Sequence, residues 1–322
     1  MSVSTSRLPD LETKLQDLQL KSVLIATDFS PASDRAIFQA ISIARRYGAK
    51  LYVIHIVSSL GFTLAGPGAL PIATEAAWRD MAQLEQALSH RQMLDGLTFS
   101  FLVSSGSVYE ELERIMQREH IDLVVVGTNG RNGLGRLFIG SVAEQVFRNS
   151  SCPVLTVGPH SAADYEPEPA RSNRPLLFAT DFGGASLETL PHVISLAKQL
   201  GRKLILLHVL RSVPELGNRC FTAFDAKEVQ DRAKKATVQK FAKLVAQEAP
   251  LKDGLAFMVE FDEPAQGILT AAEVLHAEMI ILGLAHKTYF ETFSHLPWTT
   301  AYEVVCGAEC PVLTLRYAEA SA

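Results

Sequence analysis

Apolar residues in this chain fall into short unbroken runs separated by longer stretches in which they recur every third or fourth position. The runs at 22–27, 51–57, 98–104, 122–126 and 153–157 are rich in Val, Ile and Leu and predict strands buried on both faces. The stretches between them predict helices over 32–47, about 74–92, 107–119 and 141–149. In the first of these, Ala36, Ile37, Ala40, Ile41 and Ala44 form one apolar stripe, and Gly48 is placed to end the helix. Short buried strands alternating with amphipathic helices predict an α/β fold: an open, doubly wound, five-stranded parallel sheet with helices on both faces.

The pattern then repeats. The segment from Ser22 to Val57 aligns without a gap on Pro175 to Leu210, so that Ala26–Phe29 (ATDF) returns as Ala179–Phe182, Gly48 as Gly201 and His55 as His208. Near the other end, Cys152–Thr156 (CPVLT) returns as Cys310–Thr314. The chain therefore reads as one domain written twice, at 21–158 and 175–316. Residues 159–174 are polar, proline-bearing and free of periodicity, which predicts a linker long enough to let the copies pack face to face. Residues 1–20 form an N-terminal arm with Leu8, Leu11, Leu15 and Leu18 at helical spacing, either a packing helix or a segment that docks on a partner chain.

Composition removes several function classes. With 48% hydrophobic residues and 20% charged residues, the 322-residue chain has the make-up of a globular protein. Thirty Lys and Arg against 35 Asp and Glu leave no basic surplus for nonspecific nucleic-acid binding. The most apolar loop-like run, Leu60–Trp78, is interrupted by glycine and proline and predicts no membrane span. Four cysteines suit a reducing, cytoplasmic setting, and Cys306 and Cys310 lack the further ligands that a zinc site needs.

The sharpest chemical signal follows the fourth strand, in residues 127–147. Gly127, Gly130, Gly133 and Gly135 precede Gly140–Ser141, which open a helix. Unpaired N–H groups at a helix N-terminus attract anions, and glycines let phosphate oxygens approach the main chain. Arg131 and Arg136 can add positive charge. The alternative is that these glycines only shape a surface loop. The chain contains no GxxxxGK[ST] string, and ATDFSPAS stands where a dinucleotide fingerprint would need GxGxxG.

At these residues the chain resembles the universal stress protein family. Gly127, Gly130, Gly140 and Ser141 fit its spaced nucleotide motif, and Thr27–Asp28, His55–Ile56 and the closing CPVLT are also similar. The resemblance covers both copies. It implies strand order 3-2-1-4-5 and ATP held in the first domain with a divalent cation, Mg2+ or Mn2+. Ala26, Thr27, Asp28 and Ile56 would line the adenine and ribose pocket, with Val126 and Gly127 beneath. Gly130, Gly140, Ser141 and Val142 would hold the phosphates.

The second copy departs from this pattern. Gly283 persists, but His286 replaces Gly130, and Trp298–Thr299 stand where Gly140–Ser141 did. The first copy is thus the expected ATP site and the second a degenerate partner, although Thr180–Asp181 and His208–Val209 leave a remnant adenine side open. His286, Lys287 and His295 read as surface polar residues, and His55 and His208 as satisfied core histidines rather than catalysts. Asp28 has three readings: a ribose partner, a metal ligand or a cap for the following helix, the last in competition with Ser30 and Ser33. No spacing specifies a catalytic base, so a regulatory role is expected ahead of a slow ATPase or phosphotransferase, with a nucleotide-free interaction module as the other alternative. The CPVLT strands would be sheet edges, and the resemblance implies that they pair with each other inside one chain. A homodimer of whole chains is left open.

Overall fold

The computed structural model describes residues 20–59, 68–128, 131–132, 136–137, 139–159, 174–211, 223–245, 254–285 and 295–317. The arm up to residue 19, the linker over 160–173, Gly130 and the 286–294 stretch with His286 and Lys287 lie outside the described residues.

The first half runs β1 (Ser22–Ala26), α1 (Pro31–Tyr47), β2 (Lys50–Ser58), α2 (Ala69–His90), β3 (Phe99–Gly106), α3 (Val108–Arg118), β4 (Leu123–Gly127), β5 (Arg131–Asn132), β6 (Arg136–Leu137), α4 (Ser141–Asn149) and β7 (Val154–Val157). The second runs β8 (Leu176–Ala179), α5 (Gly184–Leu200), β9 (Leu204–Leu210), α6 (Ala223–Val245), β10 (Leu255–Phe261), α7 (Pro264–Val274), β11 (Met279–Ala285), α8 (His295–Gly307) and β12 (Val312–Tyr317). Two details differ from expectation. Helix α2 begins at Ala69, so much of the run read as loop-like is helical, and no helix among the described residues is long and apolar enough to cross a membrane. The glycine-rich loop also carries a small antiparallel hairpin, in which Arg131 faces Leu137 and Asn132 faces Arg136.

Within each half the five long strands are parallel and ordered 3-2-1-4-5, as expected. The halves do not pack face to face. Strand β12 pairs antiparallel with β7, with Val312 opposite Thr156, Leu313 opposite Leu155 and Thr314 opposite Val154. Among the described residues this makes one ten-stranded sheet. The Thr156 hydroxyl donates to the Val312 carbonyl and the Thr314 hydroxyl to the Val154 carbonyl, each at 3.2 Å. A lone β7 or β12 would present unpaired N–H and C=O groups, and the pairing covers both edges at once.

Two apolar layers follow from the double winding. Ile25, Val53, Val125 and Leu155 share one face with Phe178, Leu206, Ile281 and Leu313. Leu24, Ile54, Val124 and Val154 share the other with Leu177, Leu207, Ile280 and Val312. Each layer runs through both halves, so the join is part of the core. At its margin the Arg316 guanidinium lies 5.8 Å from the centre of the Phe147 ring and donates to the Phe147 carbonyl. Burial lowers the Arg316 pKa to about 10, which leaves it charged at neutral pH.

Candidate functional site

Strand β1 has β2 on one side and β4 on the other, so the order of strand addition reverses there and a crevice opens at the carboxyl ends of β1 and β4. A cavity of about 270 Å³ occupies it. Its lining includes Ala26, Thr27, Asp28, Ile56, Val126, Gly127, Gly140 and Val142 from the expected set. Arg131 lies in β5 and Ser141 opens α4, but their side chains, like Gly130 as a whole, lie outside the described residues.

The floor is a tight turn. The Phe29 N–H donates to Thr27 Oγ1 at 3.0 Å, and Thr27 Oγ1 donates to Ser33 Oγ at 3.0 Å. Phe29 has φ 61°, a left-handed conformation that costs a bulky residue roughly 1–3 kcal/mol and persists only where its surroundings impose it. Here the Phe29 ring packs on the His55 ring, with centroids 4.6 Å apart. His55 Nδ1 lies 2.8 Å from the Thr27 carbonyl, which can only accept, so Nδ1 carries the proton. His55 is thus a positioning residue that also lines the cavity. The second half repeats this turn: Phe182 has φ 59°, and His208 Nδ1 donates to the Thr180 carbonyl at 2.7 Å.

The structure separates the readings of Asp28. Ser30 caps α1, its hydroxyl accepting from the Ser33 N–H at 3.3 Å, so Asp28 is not the cap. Instead Asp28 Oδ1 accepts the Ser30 N–H at 3.0 Å, just ahead of the positive end of α1. Burial raises the Asp28 pKa, but hydrogen bonds from the Ser30 side chain and backbone and from the Ser33 side chain outweigh it and hold it below 3.8. The carboxylate is therefore ionised at neutral pH. With a depressed folded-state pKa, its contribution to stability is complete above 3.8 and is lost as pH falls through the folded value. A carbon-detected NMR titration is expected to place the Asp28 midpoint below 3.8; a midpoint above it would remove the inferred hydrogen bonding.

The opposite wall is the start of α4. Gly140 has φ 92° and ψ 140°, a conformation that glycine alone adopts readily, and the space where a Cβ would point is open. The first intrahelical bond runs from the Glu144 N–H to the Gly140 carbonyl at 2.8 Å. The N–H groups of Gly140, Ser141, Val142 and Ala143 therefore have no intrahelical acceptor, and Gly140, Val142 and Ala143 line the cavity. Gly127 lines the cavity and also has a packing role. A Cβ on it would lie 2.5 Å from the Ala32 carbonyl oxygen, so this glycine lets α1 seat against the end of β4. A Cβ on Gly283 would meet the Thr189 hydroxyl first and the Ala185 carbonyl oxygen at 3.0 Å, so a glycine is favoured there too.

The counterpart of this wall differs. Aligned through CPVLT, Gly140–Ala143 correspond to Trp298–Ala301, but α8 already begins at His295. It starts a turn earlier than α4, roughly 6 Å at 1.5 Å per residue, and its first-turn donors lie before Trp298. Ser30, Ser33, Ile54, Val108, Ile139 and Ala143 also line the first cavity and were not picked out as ligand contacts from sequence. Ser30 and Ser33 could have been found from the TDFSPAS turn; Val108 and Ile139 come from other elements and carry no local signal. Elsewhere, burial pushes the thiols of Cys306 and Cys310 up to about 11, so both are neutral at physiological pH.

Comparison with known proteins agrees with this architecture. The family model described as the universal stress protein family matches residues 19–158 and again 172–316. A universal stress protein of Methanocaldococcus jannaschii is 33% identical over 145 residues, covering 42% of this chain and 81% of that protein. One from Thermus aquaticus is 31% identical over 138 residues, covering 42% of this chain and 98% of its own. The crystal structure of a universal stress protein from Archaeoglobus fulgidus superposes with a TM-score of 0.66 at 17% identity over 92% of this chain and 99% of that one, a likeness of fold. The doubled sheet, the repeated TDF turn and two family matches along one sequence establish that this chain belongs to the universal stress protein family, as a tandem-domain member.

Proposed function

We propose that the first domain binds ATP and that the chain is a nucleotide-responsive regulator. The observation that carries this reading is the free N-terminal turn of α4, with Gly140 at its mouth, facing a cavity whose other wall holds Asp28. Adenine and ribose would occupy the space bounded by Ala26, Thr27, Ile56 and Val126. The phosphates would lie against Gly140, Ser141 and Val142, with Gly130 and Arg131 as the further phosphate contacts that the resemblance and charge suggest. Among the described residues no three His, Cys, Asp or Glu side chains group together, so phosphate oxygens would supply most ligands of a Mg2+ or Mn2+ ion, with the ionised Asp28 carboxylate as the protein ligand.

The second domain would serve as partner and readout. Strand β6 of the glycine-rich loop lies against α8, and the Arg148 guanidinium stands 5.6 Å from the centre of the Tyr302 ring. A shift of β6 on phosphate binding would therefore have a direct route to the second domain. A cytoplasmic setting fits the free thiols of Cys152, Cys306 and Cys310.

At a ligand concentration of about a hundred times Kd, binding stabilises a fold by about 2.7 kcal/mol, so ATP with Mg2+ is expected to raise the midpoint of thermal unfolding. Gly140→Trp is expected to remove that shift relative to its own ligand-free midpoint. Gly140→Ala separates backbone strain from blockage, because it adds the strain of φ 92° without filling phosphate space. A folded wild-type chain that shows neither a thermal shift nor calorimetric binding would defeat the proposal.

A further inference from the structure

We propose that residues 8–18 of the N-terminal arm dock on their own chain, as an amphipathic helix in the groove between α2 and β3, and so cover one edge of the ten-stranded sheet. The inference stands apart from nucleotide binding in the first domain.

The groove is an apolar opening at an edge. Strand β3 is the last strand on its side, so one line of its N–H and C=O groups has no neighbouring strand. Beside it lies a cavity of about 250 Å³, lined chiefly by Trp78, Met81 and Glu85 of α2 and by Phe99 and Phe101 of β3. Trp78 is 48% exposed. Phe99 and Phe101 are half-buried, and their rings meet edge to face with centroids 5.7 Å apart. Large apolar side chains left open around a concave surface mark a place where another segment packs. At the matching register of the second half, Phe257 of β10 lies flat on Phe241 of α6, with centroids 5.2 Å apart. That half supplies its own ring where the first half leaves an opening.

The arm fits the groove in pattern and in reach. Leu8, Leu11, Leu15 and Leu18 recur at helical spacing, Pro9 suits a first turn, and Asp10 and Glu12 suit the positive end of a helix that starts there. The arm joins the fold at Leu20, which is buried in the same apolar layer as Met81, on the face of the sheet that α2 covers. Val23 is level with Leu51 and Leu51 with Phe99, so Phe99 stands two strands across and three residues along from Leu20. At about 5 Å per strand and about 3.3 Å per residue, that separation is roughly 14 Å. The five steps from Leu20 back to Leu15 span up to about 17 Å, which brings Leu15 to the groove. Leu8 and Leu15 lie about 10 Å apart along a helix, as do Trp78 and Glu85. Running alongside α2 in the same direction, the arm sets Leu8 toward Trp78 and gives the Glu85 carboxylate a partner of opposite charge in Lys14.

The test uses the full chain carrying Trp298→Phe, which leaves Trp78 as its one tryptophan. Adding Leu11→Ser and Leu15→Ser is expected to raise acrylamide quenching of Trp78 roughly twofold and to move its emission to longer wavelength, because docked contacts exclude water from such a ring. Unchanged quenching and emission overturn the proposal. Position is read with a short bis-maleimide on a chain carrying Leu15→Cys and Glu85→Cys, digested and mapped by mass spectrometry. A link from residue 15 to residue 85 within one monomeric chain is expected. Both thiols modified without that link overturns the proposal. So does a link that forms only between chains, as read by mixing the two single variants, since it places the arm on a second copy. Should Trp298→Phe fail to fold, the cross-link decides, because it is made in a chain that keeps Trp298.

Discussion

Replacing Gly127 by alanine is expected to destabilise the protein by about 3 kcal/mol and to disturb the first cavity together with the fold. The added Cβ would lie 2.5 Å from the carbonyl oxygen of Ala32, 2.6 Å from its carbonyl carbon and 2.9 Å from the Ser33 nitrogen. All three are backbone atoms, so no side chain can rotate away. Helix α1 must retreat from β4, taking with it the Ser30 cap and the Thr27–Ser33 hydrogen bond that shape the turn. Gly283→Ala provides a milder comparison: its closest clash is with the Thr189 hydroxyl, a side-chain atom, the α5 backbone lies at 3.0 Å, and the first cavity is left untouched. Chemical denaturation of both variants, followed by ATP titration of each, checks the prediction. Equal stability of Gly127→Ala and wild type would show that α1 does not seat on β4 as described.

Leu155→Asp is expected to cost more, on the order of 5 kcal/mol, from lost apolar burial and an unpaired charge in the core. Leu155 is 1% exposed and stands at the centre of the join, opposite Leu313. A domain's whole stability is about 5–15 kcal/mol, so this change is expected to part the halves, expose both edges and promote aggregation. Leu155→Val, a smaller change at the same place, is expected to keep a single cooperative transition. Denaturation monitored by size-exclusion chromatography distinguishes the two. A monomeric Leu155→Asp chain with wild-type stability would mean that the β7–β12 pairing does not hold the halves together.

The legibility of this fold in its sequence was uneven for physical reasons. Strands β1, β2, β4 and β7 announce themselves because burial on both faces demands unbroken Val, Ile and Leu. Helix α1 is visible from its alanine and isoleucine stripe and its Ser30-Pro31 start. The sequence pattern starts helix α2 too late because Leu70, Pro71 and Ile72 look like loop, although proline is tolerated in a first turn. At the site, Thr27, Asp28 and Gly140 are recognisable from a motif, while Val108 enters the cavity only through the packing of α3 and Ile139 from the loop just ahead of α4. The motif marked Gly127 as a cavity residue, but its second task, the close approach of the α1 backbone, shows only in the packing.

By itself the sequence determined the repeat, the identity of each copy's strands and helices, and the loss of the glycine pattern in the second copy, all of which are local periodicities or local residue identities. Pairing of the two CPVLT strands was implied only by the family resemblance, and the tertiary structure decided its antiparallel register, because hydrogen bonding between β7 and β12 joins backbones about 160 residues apart and leaves no periodic trace. It also decided what the lost glycines mean. The extra turn of α8 turns free N–H groups into intrahelical ones, a change of register that residue identities alone do not reveal.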